Sequence, residues 1–449
     1  MSVELVGPAL EMTQLRASLL SEAPNEAGAV LLCHVHTMAN SHRRILVKEI
    51  VQVPAASYME QRPDRLVIDP LFLAPVLKRA RQQECSVVVT HTHPFSEWPE
   101  FSLADDHGEE VLIPAIFKRV PGKSHGALVL GRAGFSGRLY IDEHHAAPAM
   151  VETMILVGSE VRRATFNSSS TEMDAAYDRN VRAFGVGQQQ LQQMSVGIVG
   201  LGGIGSIVAE QLAHLGVSRM TLVDFDELDV TNLNRVAGAS RSDVGDPKVK
   251  VTKRLVNRIA PHIKVTDIQG SILAQANARL LLKCDFVFCC TDSHGSRAVL
   301  NQLAYQYLVP MIDTGVRIDA KEGKIVSMAA RVQMLSPGLP CLVCGNLLDS
   351  EEIRRDFLSD GQRKADPYIT GYHEPQPAIM SINGTVASLA VTMFLSAVVG
   401  LPSTARHVIY LIGEGTVRRV SGQRMPDCLV CSTRGALARG DDWQMIWQL

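Results

Sequence analysis

The sequence predicts two successive α/β domains, the second of which has a doubly wound, mostly parallel sheet with helices on both faces. The first part of the chain carries short β-type runs separated by helical stretches, for example at Ala29–His34. A polar run at Asn167–Thr171 then interrupts the pattern, as linkers do. After it, apolar strands alternate with helices, which is the arrangement that builds a parallel sheet. We therefore predict domains at 1–160 and 176–449, joined by a linker at 161–175.

The predicted strands are apolar runs bounded by turn residues. In the first domain they are Ala29–His34, Ile45–Val53, Ser86–Thr90, Ala127–Leu130 and Arg138–Ile141. In the second they are Val196–Val199, Met220–Val223, Phe286–Cys290 and Val309–Ile312, with helices ending near Leu215 and beginning near Pro247. A further apolar stretch, Ile379–Leu401, is nearly long enough to span a bilayer. It contains polar residues such as Asn383 and lacks basic flanks, so we predict a buried core helix.

The composition is that of a globular protein, with 46% hydrophobic and 20% charged residues among 449. A formal net charge of −2 provides no long-range attraction to nucleic acid or to an anionic membrane, and we expect neither as a partner. The first twenty residues lack the apolar core of a signal peptide. We therefore expect a cytoplasmic protein, whose nine cysteines are reduced or bind metal.

The first chemical site is predicted around two histidines at the end of an apolar strand. His91 and His93 are two residues apart, so the alternation of a strand sends both rings to the same side. Ser102 and Asp105 are three apart and share a face at a helix start. Two histidines and one carboxylate suit Zn²⁺ and leave a fourth position open for water, as a catalytic zinc requires. A nearby carboxylate must then move the proton of that water.

These residues resemble the motif of the JAB/JAMM zinc metallopeptidases, which is His-x-His-Pro, a short spacer and Ser-x-x-Asp. The resemblance covers roughly residues 5–150 and implies an upstream glutamate as proton shuttle. Glu26, two residues before a glycine and an apolar strand, fits that role, and Glu49 on a later strand is the weaker candidate. The resemblance also implies that Ser102 supports the tetrahedral intermediate. The alternative is a non-catalytic scaffold. The complete set of metal-ligand residues argues against it, because a degenerate domain usually loses some of them.

A second site is predicted at a glycine-rich turn between a strand and a helix. Its glycines let backbone N–H groups approach a phosphate at the helix N-terminus; they are Gly200, Gly202, Gly203 and Gly205. Asp224 ends the next strand, where an acid binds a ribose. Taken alone, this pattern favours a dinucleotide enzyme, and an NAD-dependent oxidoreductase stays open as an alternative.

The residues that follow favour adenylation instead. Asn232, Arg235 and Lys248 come after Asp224, and Asp292 follows a later strand. A hydride-transfer enzyme does not require an arginine and a lysine that both contact the phosphates. Attack of a carboxylate on an α-phosphate builds negative charge there, which arginine, lysine and Mg²⁺ stabilise. Mg²⁺ in turn prefers oxygen ligands such as a carboxylate.

From about Tyr177 onward the chain resembles the ThiF/MoeB family and the adenylation domains of ubiquitin-activating enzymes. The resemblance implies a Rossmann-like domain that binds ATP through its glycine turn, with Asp224 at the ribose. It also implies that Asn232, Arg235 and Lys248 line the phosphates and that Asp292 holds the magnesium.

The Tyr177-Asp-Arg179 sequence matches the entry motif of the same family. In that family the arginine reaches the nucleotide of the neighbouring subunit. The resemblance therefore implies a homodimer, to which Arg179 contributes.

Two Cys-x-x-Cys pairs predict a closed, structural zinc site, because four thiolates leave no position for water. The pairs are Cys341 with Cys344 and Cys428 with Cys431, and the same pairs occur in ThiF/MoeB relatives. Redox activity is the alternative. No cysteine lies between Cys344 and Cys428, the region in which ubiquitin-activating enzymes form a thioester. We therefore expect an acyl-adenylate, without a thioester on this chain.

Together the two resemblances predict a bifunctional enzyme that requires ATP, Mg²⁺ and two zinc ions, one catalytic and one structural. Its partner is a small ubiquitin-like or sulfur-carrier protein with a C-terminal glycine, which one domain trims or deconjugates and the other adenylates. Adenylation of a short peptide or metabolite is a further alternative.

Overall fold

The computed structural model describes residues 2–38, 41–144, 147–165, 175–359, 361–362 and 377–446, which form two compact units. The first unit contains the described residues up to 165, together with Gln306–Leu308 and Thr433–Gln444. The second contains the remaining described residues from 175 onward. Of the predicted linker at 161–175, the first five residues form a strand, and 166–174 lie outside the described residues.

The first unit contains ten strands and three helices among its described residues up to 165. The strands are β1 Val3–Pro8, β2 Gly28–Thr37, β3 Arg43–Gln52, β4 Tyr58–Arg62, β5 Arg65–Ile68, β6 Ser86–Thr92, β7 His125–Leu130, β8 Phe135–Tyr140, β9 Ala149–Val157 and β10 Val161–Thr165. The helices are α1 Ala9–Leu20, α2 Pro70–Gln82 and α3 Leu103–Arg119. Eight strands form one sheet in the order β1-β3-β2-β6-β7-β8-β9-β10, and β1 also pairs with β9, so the strand order closes on itself. β4 and β5 form a separate hairpin.

Both faces of this sheet are covered by apolar side chains. Leu31 of β2 faces the cluster that includes the buried side of α1, while its neighbour Leu32 faces the cluster formed with α2 and α3. A strand buried on both faces has no polar alternation, which is why β2 reads as a continuous apolar run. In α1 the buried residues Met12, Leu15 and Leu19 recur at helical spacing and form one stripe.

The second unit contains eight strands and eight helices among its described residues. The strands are β11 Ser195–Val199, β12 Arg219–Asp224, β13 Lys264–Gln269, β14 Phe286–Cys289, β15 Met311–Lys321, β16 Lys324–Leu335, β17 His407–Leu411 and β18 Thr416–Arg419. The helices are α4 Asp178–Phe184, α5 Gly187–Gln193, α6 Gly203–Leu215, α7 Lys248–Ile259, α8 Gln275–Leu280, α9 His294–Gln306, α10 Ser350–Phe357 and α11 Met380–Val398. Only the last residue of α9 falls in the first unit.

The sheet of the second unit is parallel in one half and antiparallel in the other. Its order is β13-β12-β11-β14-β15-β16-β17-β18, and the pairings from β13 to β15 are all parallel. The pairings from β15 to β18 are antiparallel. Every strand predicted for this domain lies in the parallel half. The edge strand β13 of that half and the antiparallel extension were not predicted.

Helix α11 is the predicted core helix. Among the described residues it is the one helix long and apolar enough to cross a membrane, and 61% of its apolar stretch is buried within the protein. The ring of Phe394 contacts Phe286 and Phe288 of the central strand β14, with centroids 4.9 and 5.6 Å away. Such edge and tilted contacts are typical of a packed aromatic core.

Candidate active sites

The end of β6 brings the two predicted histidine ligands together. The Nε2 atoms of His91 and His93 are 3.3 Å apart. Thr92, between them, points to the opposite side, where its hydroxyl accepts a hydrogen bond from the backbone N–H of Ala27 at 3.0 Å. The backbone N–H of Thr92 donates to the carbonyl of Ala27, also at 3.0 Å. These two hydrogen bonds hold Ala27 against Thr92, and therefore place Glu26, the residue before Ala27, beside the histidines.

Asp105 enters the same site from the first turn of α3. Its Oδ1 lies 2.9 Å from Nε2 of His91, and its Oδ2 lies 3.3 Å from Nε2 of His93. Ser102 is the N-cap residue and forms a capping box with Asp105, donating its hydroxyl to Oδ2 at 2.8 Å. Burial alone would raise the pKa of Asp105, but hydrogen bonds from His91 and His93 hold it well below its usual value.

Glu26 is the buried carboxylate of this site. Its Oε1 is 3.6 Å from Nε2 of His93. Burial raises the pKa of Glu26 to about 7, although the nearby histidines oppose the shift. A pKa close to neutrality suits a group that takes and returns a proton. Glu49 lies on β3 and pairs instead with Arg79, with 3.1 Å between Oε1 and Nη1.

The donor set fits zinc. One ligand atom from each of Glu26, His91 and His93 lies within 4.8 Å of the others. Ligands about 2.0–2.1 Å from a tetrahedral zinc are separated by about 3.3 Å, which is close to the separations of the His91, His93 and Asp105 atoms. His91, His93 and Asp105 would hold the ion, and Glu26 would lie next to the fourth, open position of the zinc.

The glycine turn of the second unit requires glycine for steric reasons. Gly200 has φ +86°, and a Cβ there would lie 2.7 Å from the carbonyl oxygen of Cys290. A Cβ on Gly205 would lie 1.8 Å from the carbonyl oxygen of Gly200. The turn leads into α6, whose N-terminus favours an anion. Leu201 in the turn donates its backbone N–H to Asp224 Oδ2 at 2.6 Å, which joins the turn to the end of β12.

One cavity of about 520 Å³ brings most of the predicted nucleotide residues together. The predicted residues that line it are Gly200, Gly202, Gly203, Asp224, Asn232, Arg235, Lys248 and Asp292. Gly205 and Arg179 are not among its described lining residues; Gly205 lies inside α6, and Arg179 is on α4. The cavity therefore combines carboxylate oxygens, which could hold a cation, with two cationic side chains, which could bind phosphates.

The charged groups of the cavity are held by short local contacts. Burial raises the pKa of Asp224, and the charge of Lys248 opposes that shift. Lys248 Nζ lies 2.6 Å from Asp226 Oδ2. Arg235 donates to the carbonyl of Thr231 at 2.7 Å.

Asn383 is a lining residue to which the sequence analysis assigned no role. It is buried on α11 close to the glycine turn, since a Cβ on Gly203 would lie 2.1 Å from its Nδ2. Its position in a strongly apolar helix is the signal that could have identified it, because a buried amide needs polar partners.

The four paired cysteines form one cluster. Their sulfur atoms lie within 4.8 Å of one another, with contacts of 3.7 Å for Cys341–Cys344, 3.6 Å for Cys341–Cys428 and 3.4 Å for Cys344–Cys431. Thiolates about 2.3 Å from a tetrahedral zinc are separated by about 3.8 Å, so the cluster fits the ion. Hydrogen bonding from Cys431 lowers the pKa of Cys341, and the negative charge on Cys341 helps to raise the pKa of Cys428 and Cys431, so the thiols share their protons. Zinc binding would displace the remaining protons.

Cys289 and Cys290, the thiols next to the nucleotide cavity, are poor nucleophiles because burial disfavours their thiolates. Cys289 is fully buried, and burial raises the pKa of Cys290 to about 12. Residues 371–376, which belong to the segment between Cys344 and Cys428, lie outside the described residues. The sequence has no cysteine there.

The fold and the cavity are those of a nucleotide-binding α/β domain, and the other α/β unit has histidine and carboxylate side chains that could hold a metal ion. Two family models match the chain, the ThiF family over residues 177–430 and the prokaryotic homologs of the JAB domain over residues 9–138. The chain belongs to the ThiF family and carries a JAB-type domain at its N-terminal end.

Curated relatives are similar over more than half of the chain. Molybdopterin-synthase adenylyltransferase of Escherichia coli (strain K12) is 30% identical over 245 residues, which are 55% of this chain and 90% of that protein. Sulfur carrier protein ThiS adenylyltransferase of the same strain is 32% identical over 253 residues, 56% of this chain and 90% of that protein. A crystal structure of E. coli MccB with ATP has a TM-score of 0.47 and 22% identity, and the match covers 58% of this chain and 75% of that one.

Proposed function

We propose that this chain is a bifunctional enzyme acting on a small ubiquitin-like or sulfur-carrier protein with a C-terminal glycine. Its second unit uses Mg-ATP to adenylate the C-terminal carboxylate of that partner. Its first unit is a zinc peptidase that trims a precursor of the partner or removes its conjugates. The observation that carries the proposal is the convergence of Asp224, Arg235, Lys248 and Asp292 on one cavity of a ThiF-family domain.

In the adenylation step the carboxylate oxygen attacks the α-phosphorus of ATP, and the bond to the β-phosphate breaks to release pyrophosphate. Asp224 binds the ribose, while Arg235 and Lys248 stabilise the negative charge that develops on the α-phosphate oxygens. Magnesium held by Asp292 would neutralise part of the phosphate charge. The relative named sulfur carrier protein ThiS adenylyltransferase supports this substrate class.

In the peptidase step the side chains of the first unit handle protons and orientation. Zinc held by His91, His93 and Asp105 would supply a Lewis acid and lower the pKa of a bound water. Glu26 takes the proton of the attacking water and passes it to the leaving amine. Ser102 supports the tetrahedral intermediate from the N-cap of α3.

We also propose a homodimer in the cytoplasm. Arg179 lies on α4 and outside the lining of the cavity in its own chain, which agrees with a role at the nucleotide of a neighbouring subunit. The cytoplasm is proposed because the cytosol supplies ATP and keeps thiols reduced, as the cysteine cluster requires.

The adenylation proposal is tested by ATP–pyrophosphate exchange with candidate carriers that end in glycine. Exchange should appear with a carrier whose C-terminal carboxylate is free and vanish with the same carrier amidated at its C-terminus. Equal exchange with both carriers would show that the carboxylate is not the acyl group.

The cysteine cluster leads to a separate prediction about metal content and stability. Replacing Cys428 with serine should lose about one zinc per chain and lower the melting temperature of the second unit, because metal binding contributes folding free energy. Metal analysis and a thermal melt measure both effects.

Cys284→Ala is the matched control, since Cys284 is a buried thiol of the same unit outside the cluster. It should keep two zinc ions per chain even if it is less stable. A wild-type protein with zinc only at the histidine site would contradict the assignment.

A further inference from the structure

Asp226 connects two residues that the nucleotide site requires. Its backbone N–H donates to Asp224 Oδ1 at 2.8 Å, and its side-chain Oδ2 lies 2.6 Å from Lys248 Nζ. Asp224 in turn accepts from the glycine turn at Leu201. The backbone and the side chain of Asp226 therefore link the Asp224 carboxylate, which the glycine turn also contacts, to the ammonium of Lys248. Asp226 is the link to which no role has been assigned.

The backbone holds the two partners at a fixed separation. Lys248 N–H donates to the carbonyl of Asp226 at 3.0 Å, and Leu228 N–H donates to the carbonyl of Asp246 at 2.8 Å. Gly245 N–H donates to the carbonyl of Leu228 at 2.9 Å. The segments 226–228 and 245–248 thus lie side by side. Their side chains at 226 and 248 face each other because of this local pairing, which does not depend on a ligand.

The two side chains of the ion pair between Lys248 and Asp226 differ in their exposure to solvent. The side chain of Lys248 is 10% exposed, whereas that of Asp226 is 44% exposed. A largely buried ammonium needs a counter-ion, and a lysine stem with four rotatable bonds needs a contact that selects one orientation. Asp226 meets both needs and directs the ammonium to the wall of the cavity that both residues line.

We propose that Asp226 is a positioning residue that aims Lys248 at the α-phosphate during adenylation. The inference rests on the proposed adenylation activity and adds a residue to it. A lysine ammonium has three donors, so it keeps one bond to Asp226 while the others reach phosphate oxygens. Asp226 thereby acts through Lys248 and does not itself contact the reacting atoms.

The expected signature is a fall in rate without weaker nucleotide binding. Asp226→Asn removes a negative charge near the triphosphate, so ATP should bind as tightly as before or more tightly. The ammonium loses its fixed orientation, and a misplacement of about 1 Å is enough to cost on the order of 10²-fold in rate. We expect kcat of exchange to fall by about 10- to 100-fold, with KM for ATP unchanged or lowered.

Asp246→Asn is the matched control. Asp246 lies on the same paired segments and is also 44% exposed, but its Oδ2 faces Arg254 Nη1 at 2.8 Å and not the cavity. The variants Asp226→Asn, Asp226→Glu and Asp246→Asn are compared with the wild type in ATP–pyrophosphate exchange. Calorimetry with a non-hydrolysable Mg-ATP analogue measures binding independently, and thermal melts measure stability.

Three results together would support the inference. Asp226→Asn loses kcat but keeps analogue binding, Asp226→Glu restores part of the kcat, and both melt like Asp246→Asn. A kcat for Asp226→Asn equal to that of the control would overturn the positioning role, as would a loss that arises only from a raised KM. Failure of the wild type to exchange with every carrier would instead overturn the proposed function, and this role with it.

Discussion

Replacing Glu26 with glutamine should slow cleavage of a ubiquitin-like fusion by orders of magnitude while the histidine site keeps its zinc. Glutamine has nearly the shape of glutamate, so the buried position next to His93 stays filled, but it cannot accept a proton. General acid–base catalysis typically contributes about 10²- to 10⁴-fold in rate, and the loss should lie in that range. Cleavage is followed by gel or mass spectrometry, and zinc by metal analysis of the same sample.

Glu49→Gln is the matched control for this experiment. Glu49 was the alternative shuttle from sequence, and in the structure it pairs with Arg79 and is not beside the histidines. Its replacement should leave cleavage nearly unchanged. Undiminished cleavage by Glu26→Gln, combined with a loss in Glu49→Gln, would transfer the shuttle role to Glu49.

The histidine site was predictable because its geometry is local. Period-two alternation at the end of one strand places His91 and His93 side by side, and a helix start places Asp105 within reach through its capping box with Ser102. The position of Glu26 beside the histidines does not follow from local geometry. It depends on the pairing of β2 with β6, a contact between distant parts of the chain that only the family resemblance suggested.

Most of the parallel half of the second sheet was predicted for a similar reason, although its edge strand β13 was not. Apolar strands that alternate with helices have a clear pattern, and β11, β12 and β14 lie within a residue of the predicted runs. Of the hairpin of β15 and β16 only the start, at Val309–Ile312, was predicted. Its far end around Lys321–Val326 is exposed, and there the adjacent charged residues and the adjacent apolar residues Ile325 and Val326 give no alternation that marks a strand. An antiparallel strand with one solvated face is identified by alternation of apolar and polar residues, which this end of the hairpin lacks.

The C-terminal segment shows the limit of sequence reasoning. Residues 433–444 belong to the first unit, in which Asp442 Oδ2 lies 2.5 Å from Nδ1 of His34 and Asp441 Oδ2 lies 2.5 Å from Nδ1 of His36. The first pair is 408 residues apart in sequence. No periodicity or spacing reports a contact of that kind, because it arises only when the whole chain folds.

Replacing Arg235 or Lys248 with alanine, or Asp292 with asparagine, should each reduce carrier-dependent ATP–pyrophosphate exchange by about 10²- to 10³-fold. The two cations stabilise charge that develops on the α-phosphate, and Asp292 would hold the magnesium that neutralises the phosphates. Lys250→Ala is the matched control, since Lys250 is an exposed lysine two residues from Lys248 and outside the cavity lining. It should exchange at the wild-type rate.

The same assay tests the absence of a thioester and the choice of nucleotide. Burial disfavours the thiolate of Cys290, and the sequence has no cysteine between Cys344 and Cys428, so no thiol-sensitive adduct with the carrier should form. A non-reducing gel after addition of ATP and carrier would reveal one, and its appearance would contradict the acyl-adenylate as end product. Exchange should require Mg²⁺ and ATP, whereas NAD should neither compete nor be reduced. Tight binding of NAD in place of ATP would favour an oxidoreductase, because the glycine turn with Asp224 is the one feature that both kinds of enzyme share.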